Sequence, residues 1–337
     1  MKSFWLGLAV LVAFGIHSSL SADTLTDVRK RGYLKCGVSQ GLAGFSTPDK
    51  NGQWQGIDTD FCRAVAAAVL GDASKVKFSA LSAKERLTAL QSGEIDLLSR
   101  NTTYTFLRDT QLGLDFAGVI YYDGQGFMVP KKLGVKSAAE LNGATICVNL
   151  GTTTEMNVAD YFRAKNMKYK LVTFEKNDEV VAAYDAGRCD VISSDKSGLY
   201  ADRTKLKKPE DHVVLSDTIS KEPLGPAVRH GDQKWGDVIR WTLFALLEGE
   251  ELKVDAKSVD ALKKSPNPSV RRLLGTEGDL GKNLDLKADW AALVIKQVGN
   301  YQEIFDRNLG KDSPLKIERG QNALWNAGGL HYAMPFR

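Results

Sequence analysis

The chain has 337 residues, 43% of them hydrophobic and 26% charged, with a formal net charge of +4. This is the composition of an ordinary globular protein with enough length for two packed lobes. The small positive excess is spread along the chain, which argues against the clustered basic surface of a nucleic-acid-binding protein.

Residues 1–22 have the pattern of a secretory signal peptide. Lys2 supplies a positive charge, residues 4–16 form an uncharged apolar run, and small residues lead to Ala22. The run is too short to cross a bilayer comfortably, and no later apolar run of about 18 residues follows. We therefore predict cleavage near Ala22 and export of a soluble protein; an uncleaved membrane anchor is the alternative.

Strands and helices are predicted to alternate in the next part of the chain. The elements are, in order, a strand at 32–41, a helix at 61–70, a strand at 76–80, a helix from Ser82 and a short strand after Asp96. Ser82 and Glu85 have the spacing of a capping box, which predicts that helix start. Asp58 or Thr59 is expected to cap the first helix.

The following part repeats this order. GATICVNLGT (residues 143–152) matches GYLKCGVSQG (residues 32–41), and the cysteine lies at the same offset from the opening glycine. VVAAYDAGRCDVISSD matches LTALQSGEIDLLSRN, each joining a helix end to Gly-x-x-Asp and an apolar strand. The repeat predicts two α/β lobes of similar plan, with parallel strands and helices on both faces.

Four cysteines, Cys36, Cys62, Cys147 and Cys189, follow the signal segment. An even number in an exported chain is typical of disulfides, and four cysteines allow three pairings. Because Cys36 and Cys147 match in the repeat, we predict one disulfide in each lobe, Cys36–Cys62 and Cys147–Cys189. Each would add about 2–4 kcal/mol to the stability of the fold. Buried free thiols are the alternative.

Polar loops are expected at the carboxyl ends of these strands, where α/β sheets bind their ligands. They lie at residues 39–45, 101–108, 151–155 and 193–195. Two lobes that face each other would bring these loops to one cleft.

These loops contain the charges that an amino-acid zwitterion needs. A buried carboxylate and a buried ammonium each require a partner of opposite charge. Arg108 can bind a carboxylate with its planar fork, and Asp195 suits an ammonium. Thr152, Thr153 and Thr154 begin a predicted helix, whose N-terminus attracts anions. A surface arginine, a turn aspartate and a simple helix cap are the alternatives.

The chain resembles the periplasmic amino-acid-binding proteins of solute-binding family 3, which serve ABC importers. The segments that carry the resemblance are GQWQGIDTDFCRAVAAAVLGD, ALQSGEIDLLSRNTTYTFLRD, YYDGQGFMV, NLGTTTE and GRCDVISSD. With its tail from about residue 255, the chain is most similar to the general L-amino-acid-binding branch. The resemblance implies a two-lobed α/β fold of class II, in which each lobe is a mixed, mostly parallel sheet flanked by helices.

The resemblance also implies roles for single residues. Those that would bind the ligand's backbone are Arg108, Thr103 and Thr153 for the α-carboxylate, and Asn101 and Asp195 for the α-ammonium.

Three further positions bear on which side chains the ligand carries. Ser39 and Leu42 stand where narrow members of the family place an acidic and an aromatic residue. Arg86 matches an arginine that binds the side-chain carboxylate in members specific for acidic amino acids; a solvated helix arginine is the alternative. We therefore predict broad binding of polar and acidic L-amino acids, such as Glu, Gln, Asp and Asn.

The family mechanism is ligand capture by hinge closure, followed by delivery to a membrane permease. The chain would cross between lobes near residues 122–127 and 222–228. Lobe one would then comprise residues 23–123 and 226–337, with a C-terminal helical extension from about 255, and lobe two residues 124–225. We expect a periplasmic monomer that uses no cofactor, no metal and no nucleic acid.

An enzyme on the same fold, such as a dehydratase or a lytic transglycosylase, is the rival interpretation. The histidines after the signal segment are His212, His230 and His331. None falls in the predicted cleft loops and none makes a metal-ligand spacing, so we predict no catalytic residue. The aromatic residues of the tail, among them Trp290, Tyr301, Phe305 and Trp325, are expected to pack against lobe one.

Overall fold

The computed structural model describes residues 23–337, so the predicted signal peptide lies outside the described residues. The strands are β1 (Leu34–Ser39), β2 (Thr47–Pro48), β3 (Trp54–Gln55), β4 (Val76–Leu81), β5 (Leu97–Leu98), β6 (Leu114–Phe116), β7 (Tyr121–Asp123), β8 (Gln125–Pro130), β9 (Thr145–Asn149), β10 (Lys170–Phe174), β11 (Val191–Asp195), β12 (His212–Val214), β13 (Glu222–Leu224) and β14 (Ala227–Arg229).

Helices occupy much of the remaining chain. They are α1 (Thr24–Arg31), α2 (Ile57–Leu70), α3 (Arg86–Gln91), α4 (Phe106–Thr110), α5 (Thr153–Ala164), α6 (Asn177–Asp185), α7 (Lys196–Arg203), α8 (Gln233–Glu251), α9 (Val259–Leu262), α10 (Pro268–Leu273), α11 (Leu280–Asn283), α12 (Trp290–Val298) and α13 (Tyr301–Asn308). Within the described range, no helix is both long enough and apolar enough to cross a membrane.

Two five-stranded sheets share one topology. The first has the order β4-β1-β5-β14-β6, and the second has the order β10-β9-β11-β8-β12. In each sheet the first three strands are parallel, and the fourth runs antiparallel to both neighbours. The predicted repeat and the two-lobed, mostly parallel architecture are therefore confirmed.

The chain passes between the sheets through two short strands that pair with each other. β7 and β13 form an antiparallel ribbon in which Asp123 lies opposite Glu222 and Tyr121 opposite Leu224. After each crossing the chain enters the fourth strand of the other sheet, β8 or β14. The fourth strand of the first sheet, β14, therefore follows all the strands of the second sheet in the sequence.

The start of α2 differs from the prediction that Asp58 or Thr59 caps it. Gly56 precedes the first helical residue with φ of 131°, and a Cβ there would lie 2.0 Å from the carbonyl oxygen of Phe45. Only glycine fits so close an approach of two backbones. Asp58 therefore lies inside the first turn, where its buried carboxylate contacts a loop of the cleft.

Both predicted disulfides are present. Cys36 in β1 is bonded to Cys62 in α2, and Cys147 in β9 is bonded to Cys189, just before β11. Each bond joins elements of one sheet and its covering helices, as the repeat predicts.

The C-terminal extension packs mainly on the first sheet and its helices. Tyr301 and Phe305 are fully buried in the same apolar core as Phe61, and Trp290 is buried beside them. For Trp325 the prediction is wrong, because half of its surface, 50%, is exposed. It stands on a short 3-10 turn beyond the last helix, outside this core.

Candidate ligand-binding cleft

A cavity of about 290 Å³ lies between loops at the carboxyl ends of the two sheets. The residues proposed for the ligand that line it are Ser39, Arg86, Asn101, Thr103, Thr152, Thr153 and Asp195. Arg108 is buried near them but does not line it. The two sides meet beside the cavity, where the hydroxyl oxygens of Thr103 and Thr153 are 3.4 Å apart.

Asp195 ends β11 and presents a carboxylate to the cavity. The residue is only 8% exposed, and within residues 23–337 its carboxylate accepts no hydrogen bond. Burial, followed by the charges of Asp123 and Glu222, raises the pKa of this carboxyl well above its usual range. A buried carboxylate without a partner is unfavourable, so a cationic group bound to the two carboxylate oxygens of Asp195 would stabilise them.

Arg86 faces the same cavity from the start of α3. It is 3% exposed, so the alternative of a solvated helix arginine is wrong. Its Nη1 donates to the carbonyl oxygens of Arg100 and Asn101 at 3.4 Å each, and its Nε has no partner within the described residues. Burial, then the charges of Arg100 and Arg108, lowers its pKa well below the usual range. Such a guanidinium is a strong site for an anion.

Arg100, which also lines the cavity, was missed by the sequence argument. Its Nε donates to the carbonyl of Leu81 at 3.1 Å, and its Nη1 donates to the side chain of Asn101 at 3.1 Å. Burial lowers its pKa to about 10. Its place one residue before Asn101 was the available signal.

Arg108 is bound to the loop that it follows. Its Nη1 donates to the carbonyl oxygen of Thr103 at 2.8 Å, and the Thr105 side chain caps its helix, α4. Burial lowers the pKa of Arg108, while the charges of Glu222 and Asp195 oppose that shift. Arg108 therefore holds the Thr103 loop in place and contributes positive charge close to the cavity.

Asp58 fixes the other end of this loop. Its carboxylate accepts from the backbone N–H of Asn101 at 2.9 Å and from the Ser99 hydroxyl at 3.2 Å. Burial raises the pKa of Asp58 to about 6. The Asn101 N–H is already used, and its carbonyl oxygen, which accepts one long bond from Arg86, keeps a second lone pair for another donor. Asn101 has a positive φ of 29°, which asparagine tolerates better than most residues.

Ser39 and Thr152 use their hydroxyls within their own loops. The Ser39 hydroxyl donates to the Ser46 carbonyl at 3.2 Å and accepts from the Ser46 hydroxyl at 3.0 Å. Thr152 caps α5, with its hydroxyl accepting from the N–H of Glu155 at 3.4 Å. Both residues shape the cavity wall more than they offer free polar atoms to it.

Glu222 is a second functional candidate that the sequence argument missed. It lies in β13, only 1% exposed, and its carboxylate accepts bonds from residues of both sides of the cleft. The donors are the Thr103 hydroxyl at 2.7 Å, the Thr153 hydroxyl at 2.9 Å, the Asn157 amide at 2.7 Å and the Ser220 hydroxyl at 2.5 Å. The available signal was an acidic residue in the segment predicted to cross between lobes.

Comparison with known proteins gives one consistent result. Residues 34–258 match the model of the bacterial extracellular solute-binding proteins, family 3. The general L-amino acid-binding periplasmic protein of Rhizobium johnstonii is 59% identical over 334 residues, which cover 98% of this chain and 97% of the relative. The glutamate/glutamine/aspartate/asparagine-binding protein of Rhodobacter capsulatus is 52% identical over 337 residues, covering 100% and 99%.

The solved structures agree with the sequences. A periplasmic binding protein of an ABC transporter from Brucella ovis, with glutathione bound, is 58% identical and has a TM-score of 0.92. The match covers 94% of this chain and 100% of the other. A cysteine-binding protein from Campylobacter jejuni, at 27% identity, has a TM-score of 0.60 over 72% of this chain and 93% of the other. The chain therefore belongs to the bacterial extracellular solute-binding proteins of family 3.

Proposed function

We propose that this protein binds L-amino acids in the periplasm and delivers them to an ABC permease. The observation that carries the proposal is a pair of buried, incompletely partnered charges, Arg86 and Asp195, that face one cavity. An amino-acid zwitterion brings both the anion and the cation that such a pair requires. No membrane-embedded or catalytic group is needed for this activity.

Acidic and polar amino acids fit the site best. The guanidiniums of Arg86, Arg100 and Arg108 are buried near one another: the charges of Arg100 and Arg108 lower the pKa of Arg86, and the charge of Arg108 lowers the pKa of Arg100. Their hydrogen bonds within the described residues go to uncharged oxygen atoms. A ligand with two carboxylates would neutralise more of this charge than a ligand with one. The name of the Rhodobacter relative supports the same class of ligand, and the name of the Rhizobium relative supports L-amino acids in general.

A γ-glutamyl peptide such as glutathione is a second candidate ligand. Glutathione carries a free amino-acid end, and the Brucella structure contains it. The cavity wall also continues to the loop at residues 175–178, beyond the Arg86 and Asp195 pair, and this loop includes the exposed Lys176. A peptide tail could extend along this wall from an amino-acid group held by Asp195.

Ligand capture would use the two crossing strands as a hinge. We assign residues 23–123 and 226–337 to lobe one and residues 124–225 to lobe two, because β7 and β13 separate the two sheets. Closure brings Arg86 and Asp195 to the same ligand, so the ligand favours the closed form. The closed form, as a monomer, would then be recognised by the permease.

A thermal-shift screen tests the proposal. The protein is unfolded and refolded to remove bound ligand, then mixed with each of the twenty L-amino acids and with glutathione. We expect Glu, Gln, Asp and Asn to raise the melting temperature most. A shift with lysine and arginine alone would contradict the proposal. The enzyme alternative predicts conversion of a bound amino acid, which mass spectrometry of the incubated mixture would detect; we expect none.

A further inference from the structure

The C-terminal extension beyond residue 258 lies outside the part of the chain that matches the family, yet it contacts the first crossing strand. We propose that this extension braces the hinge: Asn322 holds Tyr122 to lobe one, so that bending between the lobes is confined to the chain just after Tyr122. The inference rests on the proposed capture of a ligand by hinge closure, and it gives the extension a role in closure without any contact with the ligand.

Asn322 satisfies both backbone groups of Tyr122, the central residue of β7. Its Oδ1 accepts from the N–H of Tyr122 at 2.6 Å, and its Nδ2 donates to the carbonyl oxygen of Tyr122 at 3.0 Å. Opposite Tyr122 in the crossing ribbon lies Pro223, which has no N–H to donate. The side-chain amide therefore takes the place of a neighbouring strand along this edge of β7.

Asn322 is itself held on lobe one. It is 4% exposed, and its backbone carbonyl oxygen accepts from Nε of Arg319 at 3.0 Å. Nη2 of Arg319 lies 3.0 and 3.1 Å from the two carboxylate oxygens of Glu250 in α8. The same guanidinium lies over the rings of Tyr301 and Phe305, at 5.1 and 4.8 Å from their centroids. A guanidinium that is paired and packed in this way fixes Asn322 against α8 and α13.

A second contact joins the extension to the chain just before β7. The hydroxyl of Tyr301 donates to the carbonyl oxygen of Ile120 at 2.8 Å, and Nε2 of His331 lies 2.9 Å from the same hydroxyl. Burial lowers the pKa of His331 to about 3, so the ring is neutral and its single N–H is the donor to Tyr301. The His331 ring also packs against Tyr122, with ring centroids 5.2 Å apart.

The chain changes its attachment immediately after Tyr122. The carboxylate of Asp123 accepts from the backbone N–H and the hydroxyl of Ser197. The carbonyl oxygen of Gly124 accepts from the N–H of Lys196 at 2.9 Å. Both donors stand at the start of α7 in lobe two. One residue therefore separates the part of the strand held by lobe one from the part held by lobe two.

On β13 the residue opposite Tyr122 is also attached to lobe one. The carbonyl oxygen of Pro223 accepts from the N–H of Tyr104 at 2.8 Å. Both strands of the ribbon are thus held to lobe one at this level. A short hinge leaves few backbone dihedrals to be ordered when the lobes close, which favours the closed form. Without Asn322, β7 would bend along more of its length, and closure would cost more conformational entropy.

Hydrogen exchange at the amide of Tyr122, followed by NMR, tests the brace in the wild-type protein. We expect this amide to be equally protected in the ligand-free protein and in the protein loaded with L-glutamate, because Asn322 stays attached in both. Fast exchange in the free protein would overturn the inference, whether or not L-glutamate slows it. The free protein gives this result without a ligand. Failure of the wild-type protein to bind any amino acid would instead overturn the proposed function.

Asn322→Ala measures what the brace contributes to closure. We expect exchange at Tyr122 to become about tenfold faster. Affinity for L-glutamate, L-glutamine and L-asparagine should fall by one common factor of about fivefold, since the contacts with the ligand are unchanged. Asn322→Asp keeps the acceptor for the N–H of Tyr122 and should give intermediate values. The matched control is Asn326→Ala, at an exposed asparagine on the next 3-10 turn, which should change neither quantity.

The affinity measurement separates a brace from a residue that only stabilises the fold. Unchanged affinity in Asn322→Ala would overturn the inference, even with faster exchange at Tyr122, and so would losses that differ severalfold among the three ligands. If Asn322→Ala folds poorly, Asn322→Asp and the exchange of the wild-type protein decide between the same outcomes.

Discussion

The two sides of the cleft carry opposite charges. The first sheet and its helices bring Arg86 and Arg100 to the cavity, with Arg108 close behind. The second sheet brings Asp195, and the crossing ribbon adds Asp123 and Glu222. On the first side burial and mutual repulsion lower the pKa of Arg86 and Arg100, and on the second burial and mutual repulsion raise the pKa of Asp195 and Asp123.

This difference explains why the site is suited to a zwitterion. Each side holds like charges that are unfavourable together, so each would be stabilised by a ligand group of opposite charge. A molecule that carries both charges relieves both sides at once, and it does so only when they face each other. The charge arrangement therefore provides a physical reason for closure around the ligand.

The largest effect is expected from Asp195→Asn on the anionic side. The ammonium of the ligand loses its charged partner, and L-glutamate should bind about 100-fold more weakly or worse. The free protein should melt at a higher temperature, because a buried, unpaired carboxylate is gone. Titration calorimetry and thermal unfolding check both effects. Asp178→Asn, at the exposed rim, is the control and should change neither.

Arg108→Ala should weaken binding of every amino acid by roughly 30- to 100-fold. The carbonyl of Thr103 loses its donor, so the loop that lines the first side is released, and the cleft loses positive charge. Arg108→Lys keeps the charge without the planar fork and should give an intermediate dissociation constant. Wild-type affinity in Arg108→Ala would show that Arg108 does not contribute to ligand binding.

Arg86→Met separates ligand classes and should have a smaller effect. We expect affinity for Glu and Asp to fall by about tenfold and affinity for Gln and Asn to fall less, because only the acidic ligands bring a second carboxylate to this guanidinium. The control is Arg163→Met on the exposed surface of α5. Equal losses of affinity for acidic and amide ligands would show that Arg86 does not distinguish the ligand's side chain.

The smallest effect is a dependence on pH in which affinity and stability move in opposite directions. The pKa of Asp58, Asp123 and Asp202 is raised to about 6 in the folded chain by burial, so the folded state binds protons more tightly than the unfolded state. These groups oppose folding at neutral pH, and the opposition disappears as the pH falls through about 6 toward 4. The free protein should therefore melt at a higher temperature at about pH 5.5 than at about pH 7.5.

Affinity for L-glutamate should fall over the same interval. The pKa of Asp195 is raised well above its usual range, and an ammonium must compete with the proton that Asp195 takes up. Calorimetry at both pH values measures the two trends. Asp202 does not itself line the cavity, although it accepts a hydrogen bond from the lining residue Asn177, and Asp202→Asn should reduce the stability trend without changing the affinity trend.

Much of the fold was readable from local pattern. The matching segments at 32–41 and 143–152 became β1 and β9, and the cysteines within them predicted both disulfides. Ser82 and Glu85 make the hydrogen bonds of the predicted capping box, but the helix does not begin there: residues 83–85 form a turn and α3 begins at Arg86. The start of α2 was not readable, because Gly56 is selected by contact with the backbone of Phe45.

For the binding site, the sequence by itself determined which charged residue types stand in loops after strands, and hence Arg108 and Asp195 as candidates. Only the tertiary structure decided how those charges are used: Asp195 faces the cavity, whereas Arg108 supports the loop beside it. It also decided which groups Glu222 contacts, because its hydrogen bond with Thr103 joins residues 119 positions apart in the chain. Periodicity and capping act over a few residues, so they appear in the sequence; the choice of partner for a buried polar group depends on which distant loops the fold brings together.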